Sequence, residues 1–366
     1  MEEEAAVKSE ARIINISVMP HREIMNKLSL FLFALFIVLI FSFPVNAADI
    51  KEEQTTEKYL GKSEEKAYKK VEAVKEGQRY RTKLLAAAIQ GYDNNVFLDP
   101  RRAQDTFSEA IVDAGVSYPL SGRWDVTGGI SAHNITYWKE TDANLTDVDL
   151  KFGFDGKLPG GMTLTAYNDV ELVEYQANAD GNYLGDKVGL VLKQKLPNNF
   201  FHSFNYEYFY RHYSDMRTLD ASGMISDRKR QDSRNTVYYD LGVYLKKTMF
   251  KVFGEYYYND SNDNFLDYYD YQSLRLGSSM IYLLTGKMSA SFSYYRQFRN
   301  YSGRTIPGDA TQAEKDRTWV SSASLFYDIY KNATLGLSYS YRQNLSNNPT
   351  QKYSGSITSL GLYCRF

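Results

Sequence analysis

Most of the chain alternates between apolar and polar residues with a period of two. Residues 162–175 show the pattern well: one parity holds Met162, Leu164, Ala166, Val170 and Leu172, and the other holds Thr163, Thr165, Tyr167, Asp169 and Glu171. Successive side chains of a strand point to opposite faces, so this segment predicts a strand with one apolar and one polar face. Comparable segments recur from residue 80 to the end of the chain.

Two kinds of connection join these segments in alternation. Six short turns lie at residues 119–122, 158–161, 196–199, 246–248, 285–287 and 331–333. Seven connections, mostly longer and more polar, lie at residues 93–104, 138–145, 176–182, 215–234, 261–269, 303–317 and 346–354. Short turns at one end and long loops at the other are typical of an outer-membrane barrel.

The fold class predicted for residues 79–366 is therefore an all-β membrane protein, an antiparallel up-and-down transmembrane β-barrel. Six turns and seven loops join fourteen strands. The first segment, residues 80–92, alternates poorly, so 12 or 16 strands are the alternatives. An even number of strands leaves both ends of the barrel on the side of the short turns, which is the periplasmic side in such barrels.

The chain before the barrel begins with a targeting pattern. Lys27 precedes an apolar run at residues 28–43, and Val45 and Ala47 are the small residues of a cleavage site. This order predicts a cleaved signal peptide at residues 25–47 and export to the outer membrane. An uncleaved anchor is the alternative, although the run is short for a membrane span of about 20 residues.

Two other segments precede the barrel. Residues 1–24 carry mixed charge and are interpreted as an upstream extension from a start codon placed too early. Residues 48–78 are rich in Lys and Glu, which predicts a short helical or disordered periplasmic segment. Whether this segment plugs the barrel is left open by the sequence.

Composition narrows the classes of function. The mean hydropathy of −0.47 excludes a polytopic helical membrane protein, and a net charge of −1 without a basic block predicts no nucleic-acid partner. The 32 tyrosines suit a wall with one apolar and one wet face. With Cys364 as the sole cysteine, no disulfide forms within the chain.

No cofactor and no metal site are predicted, because the acids of residues 260–270 lack the spacing of an EF-hand and are expected to be solvated.

Two short motifs resemble those of known families. Ser359, Gly361 and Phe366 resemble the terminal assembly signal of bacterial outer-membrane proteins, with Cys364 where a larger apolar residue is usual. This resemblance implies that the barrel assembly machinery and outer-membrane lipids are partners. Residues 91–96, Gly-Tyr-Asp-Asn-Asn-Val, resemble a stretch of the β-barrel porin 2 family and its relatives, some of which are linked to polysaccharide export.

If the apolar parity faces lipid, the other parity lines the lumen. Acidic residues then concentrate on strands three to five, at Asp125, Asp149, Asp169 and Glu171, and basic residues on strands ten to thirteen, at Arg275, Arg299 and Arg342. The two groups are predicted to form facing arcs with a transverse field that orients dipolar solutes. The alternative is that these charges pair with neighbours and fill a narrow pore.

These features predict a porin-like channel for small hydrophilic solutes, with saccharides and a link to polysaccharide export as narrower versions. The alternative is a non-conducting barrel that acts as a scaffold, adhesin or assembly partner through its loops. His212, Ser214 and Asn235 resemble a phospholipase constellation, but the chain is predicted not to be an enzyme because nothing around them extends the match. The sequence leaves the solute and the oligomeric state open.

Overall fold

The computed structural model describes residues 80–177 and 179–366. The predicted upstream extension (1–24), signal peptide (25–47) and charged segment (48–78) lie outside the described residues. Almost all of the described chain is β-strand. The strands are β1 (Arg81–Asp93), β2 (Asp105–Pro119), β3 (Trp124–Tyr137), β4 (Leu145–Leu158), β5 (Met162–Tyr175), β6 (Tyr183–Lys195), β7 (Phe200–Leu219), β8 (Ile225–Tyr244), β9 (Thr248–Ser261), β10 (Tyr271–Leu283), β11 (Met288–Ile306), β12 (Asp309–Tyr330), β13 (Ala333–Asn344) and β14 (Tyr353–Arg365).

The fourteen strands form one closed barrel. Each strand pairs antiparallel with its neighbours in sequence, and β1 pairs antiparallel with β14, from Leu85 opposite Arg365 to Asp93 opposite Ile357. Closure leaves no unpaired sheet edge, which an open sheet would expose to aggregation. The predicted fold class and the predicted count of fourteen strands are confirmed.

The short turns follow the sequence closely. The turns after β4 and β6 have the related sequences Pro159-Gly160-Gly161 and Pro197-Asn198-Asn199. In both, the second and third residues have positive φ, between 60° and 75°. Glycine adopts this left-handed conformation without steric cost, and asparagine tolerates it better than most residues. A Gly-Gly pair and an Asn-Asn pair can therefore occupy the same two positions of this turn.

Two connections predicted as long loops are instead strand extensions. The predicted loop at residues 215–234 is mostly the hairpin of β7 and β8, and the one at residues 303–317 is mostly the hairpin of β11 and β12. Both hairpins continue past shifts in strand register, after His212 and after Asn300. Their residues are mostly polar, so alternation of hydrophobicity does not reveal them, but their backbone groups still pair across the hairpin.

Five short 3-10 turns lie in the connections of the described chain, at Thr141–Ala143, Pro159–Gly161, Ala179–Gly181, Pro197–Asn199 and Pro349–Gln351. Each has three residues. Across residues 80–177 and 179–366, no helix is long and apolar enough to cross a membrane.

The outer surface of the barrel is an apolar belt. Leu150, Phe152 and Leu172 on neighbouring strands are 44%, 60% and 50% exposed, whereas Asp169 on the opposite parity is buried. Exposed aromatic side chains border the belt, at Tyr118, Trp124, Phe154, Phe200, Tyr282 and Tyr327 near the short turns and at Tyr92, Trp138, Tyr208 and Tyr210 near the loops. An apolar band between two aromatic girdles is the surface expected of a barrel that spans a bilayer.

Candidate functional site

Four carboxylates gather on the inner wall at β4 and β5: Asp147, Asp149, Asp169 and Glu171, here called the acidic cluster. The strand register produces this arrangement, because Asp149 lies opposite Glu171 and Lys151 lies opposite Asp169. Asp147, Asp169 and Glu171 are all buried. The cluster includes three of the four predicted acidic-arc residues. The fourth, Asp125 on β3, is instead paired with Arg81.

Two lysines partly neutralise the acidic cluster. Lys187 Nζ on β6 lies 3.2 Å from Glu171 Oε1 and 5.0 Å from the centre of the Phe209 ring, so the ring holds the ammonium group in place. Lys151 Nζ lies 3.5 Å from Asp149 Oδ2 and 3.8 Å from Asp169 Oδ2. Four carboxyl groups therefore share two ammonium groups, so acidic side chains outnumber basic ones in the cluster by two.

Asp147 is a member of the cluster that the sequence pattern did not reveal. It lies two residues from the predicted loop at residues 138–145, and β4 begins at Leu145. Extending the alternation of Val148 and Asp149 back by one residue would have placed Asp147 on the inner parity. The residue opposite Asp147 on β3 is His133, whose Nε2 is 3.0 Å from Glu109 Oε1.

Two of the predicted basic residues, Arg275 and Arg299, lie across the barrel from the acidic strands by strand order, whereas Arg342 on β13 lies opposite β6. β3 and β4 are seven places from β10 and β11 in the ring of fourteen strands. Each basic residue also has a partner nearby: Arg275 lies 3.3 Å from Glu255, Arg342 lies 2.6 Å from Asp93, and Arg299 stacks at 4.7 Å on the ring of Tyr271. The local partners weaken the transverse field that the charge pattern predicts, and its net size stays a prediction.

A second inner feature is an arginine–tyrosine ladder near the loop end of β7 to β11. Its guanidinium-to-ring distances are 4.8 Å for Arg230 and Tyr213, 4.7 Å for Arg234 and Tyr257, 4.7 Å for Arg299 and Tyr271, and 5.0 Å for Arg304 and Tyr301. Stacking of guanidinium groups on aromatic faces stabilises buried arginines. The sequence pattern assigned the tyrosines to a wall with one apolar and one wet face and did not reveal this stacking on the inner face.

The loop acids are structural. Asp263 accepts a hydrogen bond from the backbone N–H of Leu219 at 2.8 Å, and Asp270 accepts one from Ser261 at 2.8 Å. Both side chains are buried, so the expectation that the acids of residues 260–270 are solvated is wrong for these two. Their carboxylates satisfy backbone donors that the irregular loop leaves without a strand partner.

The residues that resemble a hydrolase are not arranged as one. Asn235 lies opposite Tyr208 rather than His212, and its Oδ1 accepts a hydrogen bond from Tyr206 at 2.8 Å. His212 Nδ1 instead lies 3.2 Å from the amide nitrogen of Gln231. The resemblance to a phospholipase constellation would require Asn235 to orient His212, and the register of β7 and β8 separates the two residues.

The residues of the predicted assembly signal lie on the strand that closes the barrel. Ser359 lies opposite Gly91 and Gly361 lies opposite Ile89. Phe366 exchanges backbone hydrogen bonds with Leu84, at 2.9 and 3.2 Å, while its side chain is 71% exposed. The backbone of the last residue thus completes the seam, and its ring is left on the surface.

Comparisons with known proteins give distant structural likenesses. No family model matches the chain, and no curated protein matches its sequence. Similar solved structures include OmpT of Vibrio cholerae (8% identity, TM-score 0.45, 80% of this chain and 100% of that one). An anion-selective porin from Comamonas acidovorans has 7% identity and a TM-score of 0.48, and the match covers 78% of this chain and 99% of that one. A FadL homologue from Pseudomonas aeruginosa has 10% identity and a TM-score of 0.42, and the match covers 78% of this chain and 90% of that one.

All of these TM-scores lie below 0.5, so the likenesses carry no argument about solute, chemistry or location. The resemblance of residues 91–96 to the β-barrel porin 2 family is not confirmed. The closed barrel itself, with its apolar outer belt and charged inner wall, remains the observation from which function has to be inferred.

Proposed function

We propose that the chain is a porin-like channel of the bacterial outer membrane for small hydrophilic solutes. The observation that carries the proposal is the contrast between the two faces of one closed sheet. The outer face is apolar between aromatic girdles, and the inner face carries the acidic cluster and the arginine–tyrosine ladder. Such a wall suits a lipid environment outside and a polar path inside. The short-turn end would face the periplasm, with lipids and the barrel assembly machinery as partners.

Saccharides are the solute class that we favour within this proposal. The inner wall combines partly exposed tyrosine rings, at Tyr167 and Tyr238, with charged hydrogen-bonding groups such as Lys151. Aromatic rings offer a face for stacking, and charged groups bind hydroxyls. A role in polysaccharide export is a narrower proposal, supported by the resemblance of residues 91–96. Export through a signal peptide cleaved after Ala47 is part of the same proposal.

Conductance of the purified barrel in a planar bilayer tests the channel. A steady conductance in symmetrical salt is the expected result, and a decrease on addition of an oligosaccharide would support the saccharide version. Well-folded protein that inserts without conducting would contradict the channel. Heat-modifiable migration on a gel distinguishes folded from unfolded protein in every sample, so that a failed insertion is not counted as a silent barrel.

A second candidate is a non-conducting barrel that acts as a scaffold or adhesin. The specific observation in its favour is the deep burial of long inner side chains: Arg211 and Tyr257 are each 1% exposed and Gln297 is 2% exposed. Side chains that line a wide aqueous pore would be more accessible. The extended hairpins of β7–β8 and β11–β12 would then be the interaction surface. Silence in the bilayer, together with binding of cells or matrix that is lost when the β7–β8 hairpin is shortened, would support this candidate.

A further inference from the structure

The acidic cluster contains one carboxylate that the surrounding protein leaves unsatisfied. Asp147 is 4% exposed, and its Oδ1 has no hydrogen-bond partner among residues 80–177 and 179–366. No ion pair joins Asp147 to a basic residue in this part of the chain, in contrast to Asp149 and Glu171. The facing imidazole, His133, is 3.0 Å from Glu109 and is not hydrogen-bonded to Asp147. An ionised carboxylate buried without a hydrogen-bond partner is costly, and a bound cation would offset that cost.

The geometry around Asp147 suits a bound cation. One carboxylate oxygen from each of Asp147, Asp149 and Glu171 lies within 4.8 Å of the other two. Ligand oxygens bind Ca²⁺ at about 2.4 Å, so two oxygens on one ion are at most about 4.8 Å apart, and the three side chains meet this condition. Mg²⁺, with shorter bonds of about 2.1 Å, demands near-ideal octahedral geometry and usually keeps several waters, so a site of three protein carboxylates suits Ca²⁺ better.

The lysines near the cluster do not block such an ion. Each carboxylate oxygen can accept more than one interaction, so Glu171 can keep its contacts with Lys187 and with the hydroxyl of Tyr183, at 3.1 Å, while it binds a cation. When all four carboxyl groups are ionised, their charge exceeds that of the two ammonium groups by the charge of one divalent ion. Gly185 keeps space beside the site: a Cβ atom there would lie 3.4 Å from Glu171 Oε2 and 2.6 Å from the Phe209 ring.

We propose that Asp147, Asp149 and Glu171 form a Ca²⁺ site on the inner wall of the barrel, completed by water. Oxygen-only ligands favour a hard cation of this kind over a transition metal. The bound ion links β4 to β5 near the loop end and removes the excess negative charge of the cluster. The sequence contained no metal-ligand spacing to indicate it, because the ligands come from two strands and meet through register.

Calorimetric titration of the full purified chain tests the site. The protein is stripped with a chelator, held at pH 7.5 in detergent and titrated with CaCl₂, and separately with MgCl₂. We expect one Ca²⁺ per chain with an affinity of about 10⁻⁴ to 10⁻³ M, the range of extracellular modules, and weaker binding of Mg²⁺. Absence of any one-site Ca²⁺ isotherm over this range would overturn the proposal.

Three variants locate the site. Asp147→Asn and Asp149→Asn should each abolish the isotherm, whereas Asp155→Asn should retain it. Asp155 is a matched control because it lies on the inner face of β4, accepts a hydrogen bond from Thr165, and is about 26 Å from Asp147 along the strand. Heat-modifiable migration on a gel verifies that each variant is folded. If Asp147→Asn does not fold, the Ca²⁺ titration of Asp149→Asn tests the proposal without it.

Binding that persists in a folded Asp147→Asn or Asp149→Asn barrel would overturn the proposal, as would equal loss in Asp155→Asn. Because the titration measures binding without any current, its failure leaves the channel untouched. A barrel that inserts into the bilayer without conducting would likewise not contradict the proposed cation site.

Discussion

Arg342 of β13 reaches across the whole width of β14 to Asp93 of β1, and its Nη2 lies 2.6 Å from Asp93 Oδ2. The same guanidinium donates to the backbone carbonyl of Asn95 at 3.1 Å, and both charged side chains are buried. The side-chain amide of Asn95 donates in turn to the carbonyl of Ser354, at 3.0 Å. Residues 91–96, which resemble a stretch of a porin family, thus provide two residues, Asp93 and Asn95, that stabilise the junction of β1 and β14 at the loop end.

The seam pair should matter for stability. Arg342→Met leaves the buried Asp93 without its ionic partner, which typically costs about 3–5 kcal/mol of unfolding free energy. Urea unfolding of the refolded barrel in detergent measures the loss. Adding Asp93→Asn to Arg342→Met should restore part of it, because the stranded charge is gone. Arg101→Met, which removes an exposed pair with Asp99, is the control and should leave the unfolding midpoint unchanged. Equal midpoints for wild type and Arg342→Met would contradict this role.

The last residue should act in assembly through its ring and in the seam through its backbone. Deletion of Phe366 removes the ring and both hydrogen bonds to Leu84, whereas Phe366→Ala removes the ring alone. If the assembly machinery reads the ring, both changes should lower the yield of heat-modifiable barrel in membranes, while export is unaffected. Refolding of Phe366→Ala from urea into detergent should match wild type. A normal yield of both variants in cells would remove the claim.

The two ends of the barrel should lie on opposite sides of the membrane. An epitope tag between Ala221 and Ser222 lies at the tip of the β7–β8 hairpin, and one between Gly160 and Gly161 lies in the turn after β4. Antibody should label the first tag on intact cells and the second only after the outer membrane is permeabilised. The reverse pattern would invert the proposed orientation. The tagged proteins serve as controls for each other, because both insertions are in connections rather than strands.

The loop of residues 262–270 should loosen as the pH rises. Burial raises the pKa of Asp270, at the loop end, from 3.8 to about 6. Because the folded loop favours the protonated carboxyl, that contribution to stability is complete below the unfolded pKa of 3.8 and is lost as the pH rises through about 6. Hydrogen exchange of the loop amides, corrected for intrinsic rates, should therefore show less protection at pH 7.5 than at pH 4.5. Asp270→Asn cannot ionise and should reduce the difference; an unchanged difference would exclude Asp270 as its source.

Alternation predicted the strands because each one separates an apolar outer face from a polar inner face, and this signal is local. The alternation and the position of the short turn together also determine the register of the β4–β5 hairpin. Leu158 pairs with Met162 across the short turn. Nine residues away from the turn along each strand, Asp149 therefore lies opposite Glu171. The register within that hairpin could therefore have been obtained from the sequence alone.

Other features lay beyond local patterns. The pair of Asp93 and Arg342 joins residues 249 positions apart and depends on closure of the barrel. The hairpin beyond His212 is polar on both faces, so period-two alternation is lost although the backbone stays paired. The arginine–tyrosine ladder depends on side-chain directions in five neighbouring strands. Sequence reasoning could place its members on the inner parity but could not show that they stack.

The charged walls give a last prediction, on ion selectivity. If the channel conducts and ions pass between the two walls, removing positive charge lowers the local electrostatic cost of a cation and raises that of an anion. Arg275→Ser with Arg299→Ser should shift the reversal potential under a salt gradient toward cation preference. Asp149→Asn with Asp169→Asn should shift it toward anion preference. A chelator is present throughout, so that a divalent ion at Asp149 does not mask the effect.

The matched control removes two positive charges from the outer face of β11 and β12. Arg296 and Arg317 lie on the parity opposite to Arg299 and flank the ring of Phe298, at 5.2 and 5.5 Å. Replacing both by Ser changes the net charge by the same amount as the inner pair and should leave the reversal potential nearly unchanged. The inner shifts should shrink at high salt, since the Debye length falls from about 10 Å at 0.1 M to about 3 Å at 1 M. If the inner and outer pairs act alike in a conducting barrel, Arg275 and Arg299 do not line the path of the ions.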